Sequence, residues 1–273
     1  YETDSIVYNE AMKLRNKILS ATNVDEINVV LEELKATKHA LTSKEELNSY
    51  LQNKVKELGY DLGIGIDGDA DRVGLVDENG NVVDGDAILY ILGKRLKSRG
   101  MLNNCTVVAT IMSNSGFFKS LENEGIKCEQ TNVGDRFVYE CMQENDYCLG
   151  GEQSGHVIFK DFANTGDGEL TSIQILNTMS KEGKKLSELA DVMKRYPQVL
   201  INVKVKEEAK GQYENDGDVT EVIQKIENEL AGEGRVLIRP SGTEALIRVM
   251  IEGLEQKVID KQAKEIADVI KKK

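Results

Sequence analysis

Tryptophan is absent from this chain and proline occurs only twice in 273 residues. Histidine is as scarce, at His39 and His156, so a histidine-rich metal site is excluded and a Ser-His-Asp triad would have to use one of the two. The four cysteines, Cys105, Cys128, Cys141 and Cys148, form no Cys-x-x-Cys pair and have no clustered histidines, which argues against metal or redox use and for free or buried thiols in a reducing cytoplasm. No apolar run approaches the roughly 20 residues needed to span a bilayer. The start, Tyr1-Glu2-Thr3-Asp4, lacks the basic and apolar regions of a secretory signal, so the expected location is cytoplasmic. Positive charge is in deficit: 35 basic against 47 acidic residues leave a net charge of −12. That balance disfavours nucleic acid and anionic membranes as partners, since both need net positive faces.

What is present is an organised succession of elements. Residues 1–59 carry apolar residues at helical spacing, including Ile6, Met12, Leu14 and Ile18, then Val24, Ile27, Val30, Leu31 and Leu34, then Leu47, Leu51, Val55 and Leu58. Breaks at Thr22-Asn23 and Thr42-Ser43 divide them into three expected helices. From Asp61 the pattern changes to short apolar strands alternating with helices. Asp77-Glu78-Asn79-Gly80-Asn81 reads as a hairpin turn, and Asp84-Gly85-Asp86 as the cap of a helix ending near Gly100. Strands follow at Thr106–Ile111 and Lys127–Thr131 around a helix at Ser113–Gly125, a rhythm that implies a mixed or parallel sheet with ligands at strand ends. After Arg195-Tyr196-Pro197, strands at Val199–Val205, Arg235–Ile238 and Ala245–Ile251 with two helices suggest a separate small α+β domain.

Chemistry concentrates in three loops. The first is Asp67-Gly68-Asp69-Ala70-Asp71-Arg72, between the apolar runs Leu62–Ile66 and Val73–Val76. Carboxylates at i, i+2 and i+4 can point the same way off a strand end and repel one another unless a cation joins them. Oxygen-only ligands suit Mg²⁺ or Ca²⁺. Arg72 adds a fork of donors for a phosphate or carboxylate oxygen. The second loop, Gly150-Gly151-Glu152-Gln153-Ser154-Gly155-His156, offers a carboxylate, an amide, a hydroxyl and an imidazole within five residues, suited to a polyhydroxyl ligand or, equally, to a polar turn whose histidine caps backbone. The third, Arg239-Pro240-Ser241-Gly242-Thr243-Glu244, has the ingredients of a phosphate cradle, although a plain hairpin turn would read the same way. Val133-Gly134-Asp135-Arg136 reads as a strand end carrying either a surface ion pair or another anion contact.

In this order and spacing the three loops resemble the metal, sugar and phosphate loops of the α-D-phosphohexomutase family. The flanks, among them Thr165-Gly166-Asp167-Gly168 and Gln198–Val205, are similar to the branch that acts on glucosamine phosphates. The resemblance covers about residues 45–273 and implies mixed α/β domains with a small α+β C-terminal domain, to which the apolar spacing adds a helical N-terminal segment of the chain. Its parts would be residues 1–59, helical and of unknown role; 60–83, the end of the metal-loop domain 2; 84–195, the sugar-binding α/β domain 3; and 196–273, the phosphate-binding domain 4. It further implies that Asp67, Asp69 and Asp71 hold Mg²⁺ and that Arg72 contacts the transferring phosphate. Glu152, Gln153 and Ser154 would bind the sugar, with Arg136 as a further contact and His156 as a proton carrier. Arg239, Ser241, Gly242 and Thr243 would hold the phosphate that does not react. The substrate would be a phosphosugar, glucosamine 6-phosphate, converted to the 1-phosphate through a bisphosphate.

Two departures set further expectations. The family's phosphoryl donor is a phosphoserine in a Ser-His-Asn-Pro loop, and Ser20-Ala21-Thr22-Asn23 lacks its histidine and proline. The 273 residues alone are therefore expected to be inactive or nearly so. Partners to consider are the phosphosugar, a second copy of the chain, or a separate chain supplying the first domain. Ala245 stands where the family has proline. A noncatalytic sugar-phosphate binder or regulatory subunit is the alternative. A calcium loop is a third reading, because Asp67, Asp69, Asp71 and Glu78 match positions 1, 3, 5 and 12 of an EF-hand, but Arg72 stands where that loop needs glycine.

Overall fold

The computed structural model describes residues 29–30, 44–206, 213, 216–241 and 244–272. The helices expected before Thr42 lie almost wholly outside the described residues, as do Gly242 and Thr243. The chain forms two compact units: Tyr1–Ser113 with Phe117–Lys194, and Asn114–Gly116 with Arg195–Lys273.

The first unit begins with a sheet in the order β1-β2-β3-β4, made of β1 (Val29–Val30), β2 (Leu62–Ile66), β3 (Val73–Asp77) and β4 (Val82–Val83). β1 lies parallel to β2, with Val29 opposite Leu62, which corrects the helical reading at these two residues. A β-branched pair suits a strand, and the free edge of β2 offers it a backbone partner. Helix α1 (Lys44–Leu58) forms as its spacing predicts; Leu51 and Val55 are buried and cluster with Val76 of β3. The β3–β4 hairpin turns where Asn79-Gly80 predicts, and Asp77 holds the turn by accepting from the backbone N–H groups of Asn79 and Asn81 at 2.9 and 2.7 Å.

Helix α2 (Gly85–Ser98) starts at the expected cap, where the Asp84 carboxylate accepts from the N–H of Ala87 at 3.2 Å. Removing that acceptor leaves an unpaired donor in the first turn. Asp84→Ala is expected to cost about 1 kcal/mol, seen as a lower urea midpoint at unchanged slope. The second sheet has the order β6-β5-β7-β8 and is mixed, as expected: β5 (Thr106–Thr110) runs parallel to β6 (Lys127–Thr131) and β7 (Leu149–Gly151), while β8 (Val157–Phe159) is antiparallel to β7. Helices α3 (Ser115–Asn123), α4 (Asp135–Glu144), α5 (Gly168–Glu182) and α6 (Leu186–Ala190) alternate with these strands or follow them. One core runs from Leu62 and Val73 through Ile88, Leu92, Val107 and Leu149 to Ile175 and Leu186, so the acidic hairpin and the mixed sheet are packed as one body. Two details differ from the sequence reading. Asp135 and Arg136 do not end a strand; they open α4, whose Val138 and Met142 are buried one turn apart. Gly150 and Gly151 belong to β7, which shortens the second loop to a tight turn at residues 152–156.

The second unit is an antiparallel sheet in the order β10-β11-β9, with β9 (Gln198–Lys204), β10 (Arg235–Pro240) and β11 (Leu246–Glu252), plus helices α7 (Gly217–Leu230) and α8 (Gln256–Ile270). Val203, Val249 and Ile251 of the sheet share a core with Val219 and Ile226 of α7 and Ile259 and Ile266 of α8. At the end of β11 the fully buried Glu252 carboxylate accepts from Asn114 Nδ2, the N–H and hydroxyl of Ser115, and Arg235 Nε at 2.6 to 3.2 Å. Four donors make that burial tolerable, and they tie Asn114–Gly116 into this unit. Among the described residues no helix is long and apolar enough to cross a membrane.

Candidate functional site

The acidic loop is the connection between β2 and β3, where Ile66 pairs with Val73. It is closed by its own backbone: the N–H of Ala70 donates to Asp67 O at 3.1 Å, and the N–H of Arg72 donates to Asp67 Oδ1, also at 3.1 Å. Ala70 takes a left-handed φ of 62° to make the bend. The outcome is that one carboxylate oxygen from each of Asp67, Asp69 and Asp71 lies within 4.8 Å of the others. Burial raises the Asp67 carboxyl above its usual range; the Arg72 N–H opposes this, and the neighbouring Asp71 and Asp69 add to it. Burial pushes Asp71 the same way, but the N–H of His156 and the charges around it outweigh burial and hold Asp71 below its usual range. Asp71 Oδ1 is buried and accepts no hydrogen bond among the described residues. Three hard oxygen donors, one of them an orphan, fit a divalent cation of the magnesium type. Glu78 is not among these ligands; it accepts from the Ser187 hydroxyl, and the loop joins two strands, so the calcium-hand reading fails.

The polar turn at residues 152–156 is bound onto this hairpin. Val73 N–H donates to Gly155 O at 3.1 Å, and Arg72 and His156 form an antiparallel bridge. On its other side the Gly85 N–H donates to Gln153 O at 3.1 Å. Glu152 Oε1 accepts from the N–H of Gly134 at 3.1 Å, which places the cap of α4 against the turn. Gln153 Nε2 donates to Asp86 Oδ2 at 3.1 Å.

His156 is buried, 2% exposed, and both of its ring nitrogens are engaged. Nε2 receives the Gly166 N–H at 2.9 Å, so it acts as acceptor and the ring proton sits on Nδ1. Nδ1 then donates to Asp71 Oδ2 at 2.9 Å. The sequence reading expects a proton carrier, but in this arrangement neither nitrogen is open to a ligand. The imidazole instead holds the Asp71 carboxylate, the arrangement of a partner set behind a ligand. Gly166, from the Thr165–Gly168 segment, fixes the tautomer, and α5 adds a further tie through the Gly168 N–H to Ala70 O at 2.9 Å.

Arg72 is exposed, and its guanidinium makes no hydrogen bond or ion pair among the described residues. Arg136 is different: its side chain is 81% exposed and pairs with Glu140 at 2.7 Å one turn along α4, the surface-pair option.

The third loop belongs to the second unit. Ser241 is buried, its N–H donates to Leu246 O at 2.9 Å, and its hydroxyl accepts from the Glu244 N–H at 3.3 Å. Arg239 sits directly across the ladder from Arg248. Burial, and then the Arg248 charge, lower the Arg239 pKa. Arg248 Nε is buried without a partner among the described residues. Arg248 also pairs with the exposed Glu244 carboxylate at 3.9 Å, which leaves two arginines against one acid and a donor unused, an arrangement suited to an anion. Sequence reasoning missed Arg248 and Asp86. The first could be found by pairing the two strands about the turn; Asp86 reads in one dimension only as part of a helix cap.

Comparison with known proteins now places the chain. Models of the phosphoglucomutase/phosphomannomutase family match it at residues 10–80 (alpha/beta/alpha domain II), 84–196 (alpha/beta/alpha domain III) and 200–269 (C-terminal domain). The chain belongs to this family of phosphohexomutases. Within it, the chain is like the phosphoglucosamine mutases: it is 56% identical to that of Alkaliphilus oremlandii over 219 residues, which are 80% of this chain and 49% of that protein. With the phosphoglucosamine mutase of Caldanaerobacter subterraneus it shares 55% over 223 residues, 82% of this chain and 50% of the other. The chain thus spans about half the length of the curated relatives it matches. The domain II match starts at residue 10, inside the segment whose sequence alone reads as helices of unknown role. The fold is shared with Aspergillus fumigatus N-acetylphosphoglucosamine mutase (TM-score 0.68, 19% identity, 82% of this chain and 52% of that one) and with the same enzyme's complex with GlcNAc-6P and magnesium (TM-score 0.63, 20% identity, 77% and 52%).

Proposed function

We propose that the chain carries the metal, sugar and phosphate sites of a phosphoglucosamine mutase, the enzyme type that moves a phosphoryl group between O6 and O1 of glucosamine. The observation that carries this reading is the meeting of three carboxylates, 4.8 Å or less apart, with the polar turn hydrogen-bonded onto the same hairpin. Asp67, Asp69 and Asp71 would hold Mg²⁺, which when bound offsets negative charge on a phosphoryl group. Arg72, exposed and uncommitted, takes an oxygen of the transferring phosphate. Glu152 accepts from sugar hydroxyls with the lone pairs that Gly134 leaves, and Gln153 and Ser154 flank it. His156 keeps Asp71 in place. In the second unit Arg239, Ser241 and Arg248, together with Gly242 and Thr243, hold the distal phosphate. A reducing cytoplasm is the proposed setting, in keeping with four free thiols.

Calorimetry on the 273-residue chain tests this. Mg²⁺ is expected to bind at one site, to be lost in Asp69→Asn, and to strengthen the binding of glucosamine 6-phosphate. The metal competes with protons for the carboxylates. Because Asp67 is raised, it is the first of the pair to take a proton as pH falls, while the lowered Asp71 follows last. Mg²⁺ affinity should therefore fall as pH drops into the titration of Asp67, which lies above the usual carboxylate range. Affinity unchanged by Asp69→Asn would refute the metal assignment.

A further inference from the structure

Gln153 ends in an amide, whose two ends have opposite hydrogen-bonding character: Oε1 accepts and Nε2 donates. Which end faces a ligand decides whether the residue reads an amine or an oxygen acceptor. In this turn the choice is made from behind. Asp86, fully buried in the first turn of α2, places Oδ2 3.1 Å from the Gln153 side chain. Unpaired N–H groups and the helix dipole favour a negative charge at that end of a helix. A carboxylate has nothing to donate, so only the Nε2 end of the amide can face it. The backbone enforces the same docking. Gly85 gives its N–H to Gln153 O, and a Cβ at Gly85 would lie 2.0 Å from Glu152 O and 2.8 Å from Gly155 N, so α2 meets the turn closely enough for Asp86 to reach the amide.

We infer that Asp86 is a positioning residue for specificity: by holding the nitrogen end of the Gln153 amide, it leaves Oε1 as the end offered to a ligand and selects a sugar phosphate bearing an amino group over one bearing a hydroxyl there. The ammonium group has only donors, so it matches an acceptor that cannot turn over. This rests on the function proposed above for the same site and goes further by assigning the selection to a residue that need not touch the sugar.

The test compares glucosamine 6-phosphate with glucose 6-phosphate by calorimetry in the presence of Mg²⁺, using the full 273-residue chain and two variants whose folding is checked by thermal unfolding. The unaltered chain is expected to prefer the amino sugar by about tenfold or more, the scale of a hydrogen bond to a charged group. In Asp86→Asn the new amide satisfies Gln153 in either orientation, the two populations become comparable, and the preference should fall to near unity while overall affinity persists. A purely structural residue would weaken both ligands alike and leave the ratio unmoved. Gln153→Met keeps the bulk and removes the acceptor; it should abolish the preference too, and it decides the matter if Asp86→Asn does not fold. A preference that survives in the folded Asp86→Asn variant, or in Gln153→Met, overturns the inference, as does an unaltered chain that binds both ligands equally. Failure of both sugar phosphates to bind the unaltered chain instead overturns the proposed function and the inference with it.

Discussion

An alanine at Gly155 is expected to destabilise the first unit by about 4 kcal/mol, a large loss for the addition of one methyl group. Gly155 has φ +98°, a backbone conformation that side-chain-bearing residues rarely adopt. Its Cβ would stand 2.0 Å from Val73 O and 2.9 Å from Val73 C. Both are backbone atoms of β3, so no rotamer change relieves the clash. Strain of roughly 1–3 kcal/mol from the dihedral and a similar amount from overpacking act together. The strand cannot retreat cheaply either, because Val73 is buried and its N–H is the donor that Gly155 O accepts. The turn must lift off the hairpin, and His156, the next residue, leaves Asp71. Urea unfolding should therefore show a large drop in midpoint, and Mg²⁺ should no longer protect. Gly68→Ala is the control: a Cβ there has nothing within 4 Å and should change stability by less than about 0.5 kcal/mol. A Gly155→Ala chain within about 1 kcal/mol of the original would mean that the turn does not dock on β3 this closely.

The same docking explains what the sequence could and could not disclose. The cap at Asp84, the Asn-Gly hairpin and helix α1 are local devices, decided by residues within a turn or two of one another, and they form where the pattern puts them. The acidic cluster is local as well, which is why Asp67, Asp69 and Asp71 are readable from their spacing. Val29 and Val30 mislead because Val24, Ile27, Val30 and Leu31 satisfy a helical period, while their strand partner lies more than thirty residues away in β2. The start of α4 escapes for another reason: its cap residue is Gly134, which has no side chain to accept from the first turn, so nothing before Asp135 and Arg136 announces a helix. The sequence does not disclose the partners of His156, because a histidine in a polar loop invites proton chemistry. Its actual bonds go to Asp71, 85 residues earlier, and to Gly166, ten residues later. Arg248 and Asp86 stay hidden for the same cause, since each acquires its meaning from a neighbour across a sheet or a turn. Chemistry-bearing residue types are legible in one dimension; their division of labour depends on contacts made in three.

Assayed alone with glucosamine 6-phosphate and Mg²⁺, a polypeptide of these 273 residues is expected to turn over roughly 10⁴- to 10⁶-fold more slowly than a complete mutase, the scale of losing a covalent nucleophile elsewhere. In the function proposed above, the groups that the chain carries position and neutralise. The carboxylates with a cation would offset charge, Arg72 and, separately, the arginines of β10 and β11 would take phosphate oxygens, and Glu152 would take the sugar. The roles proposed for them include no phosphoryl donor that later becomes an acceptor, and the sequence contains no Ser-His-Asn-Pro loop. Ground-state binding draws on the groups that remain, so affinity should survive where rate does not. Calorimetric binding without turnover is the expected pairing, and adding a separate polypeptide that carries the phosphorylated serine loop should restore measurable conversion if the two associate. Binding in both arms with turnover in neither would favour the noncatalytic sugar-phosphate binder. Conversion by the purified chain alone, free of contaminating enzyme, would show that some residue of these 273 accepts and returns the phosphoryl group, and the division between residues that hold and a residue that transfers would have to be abandoned.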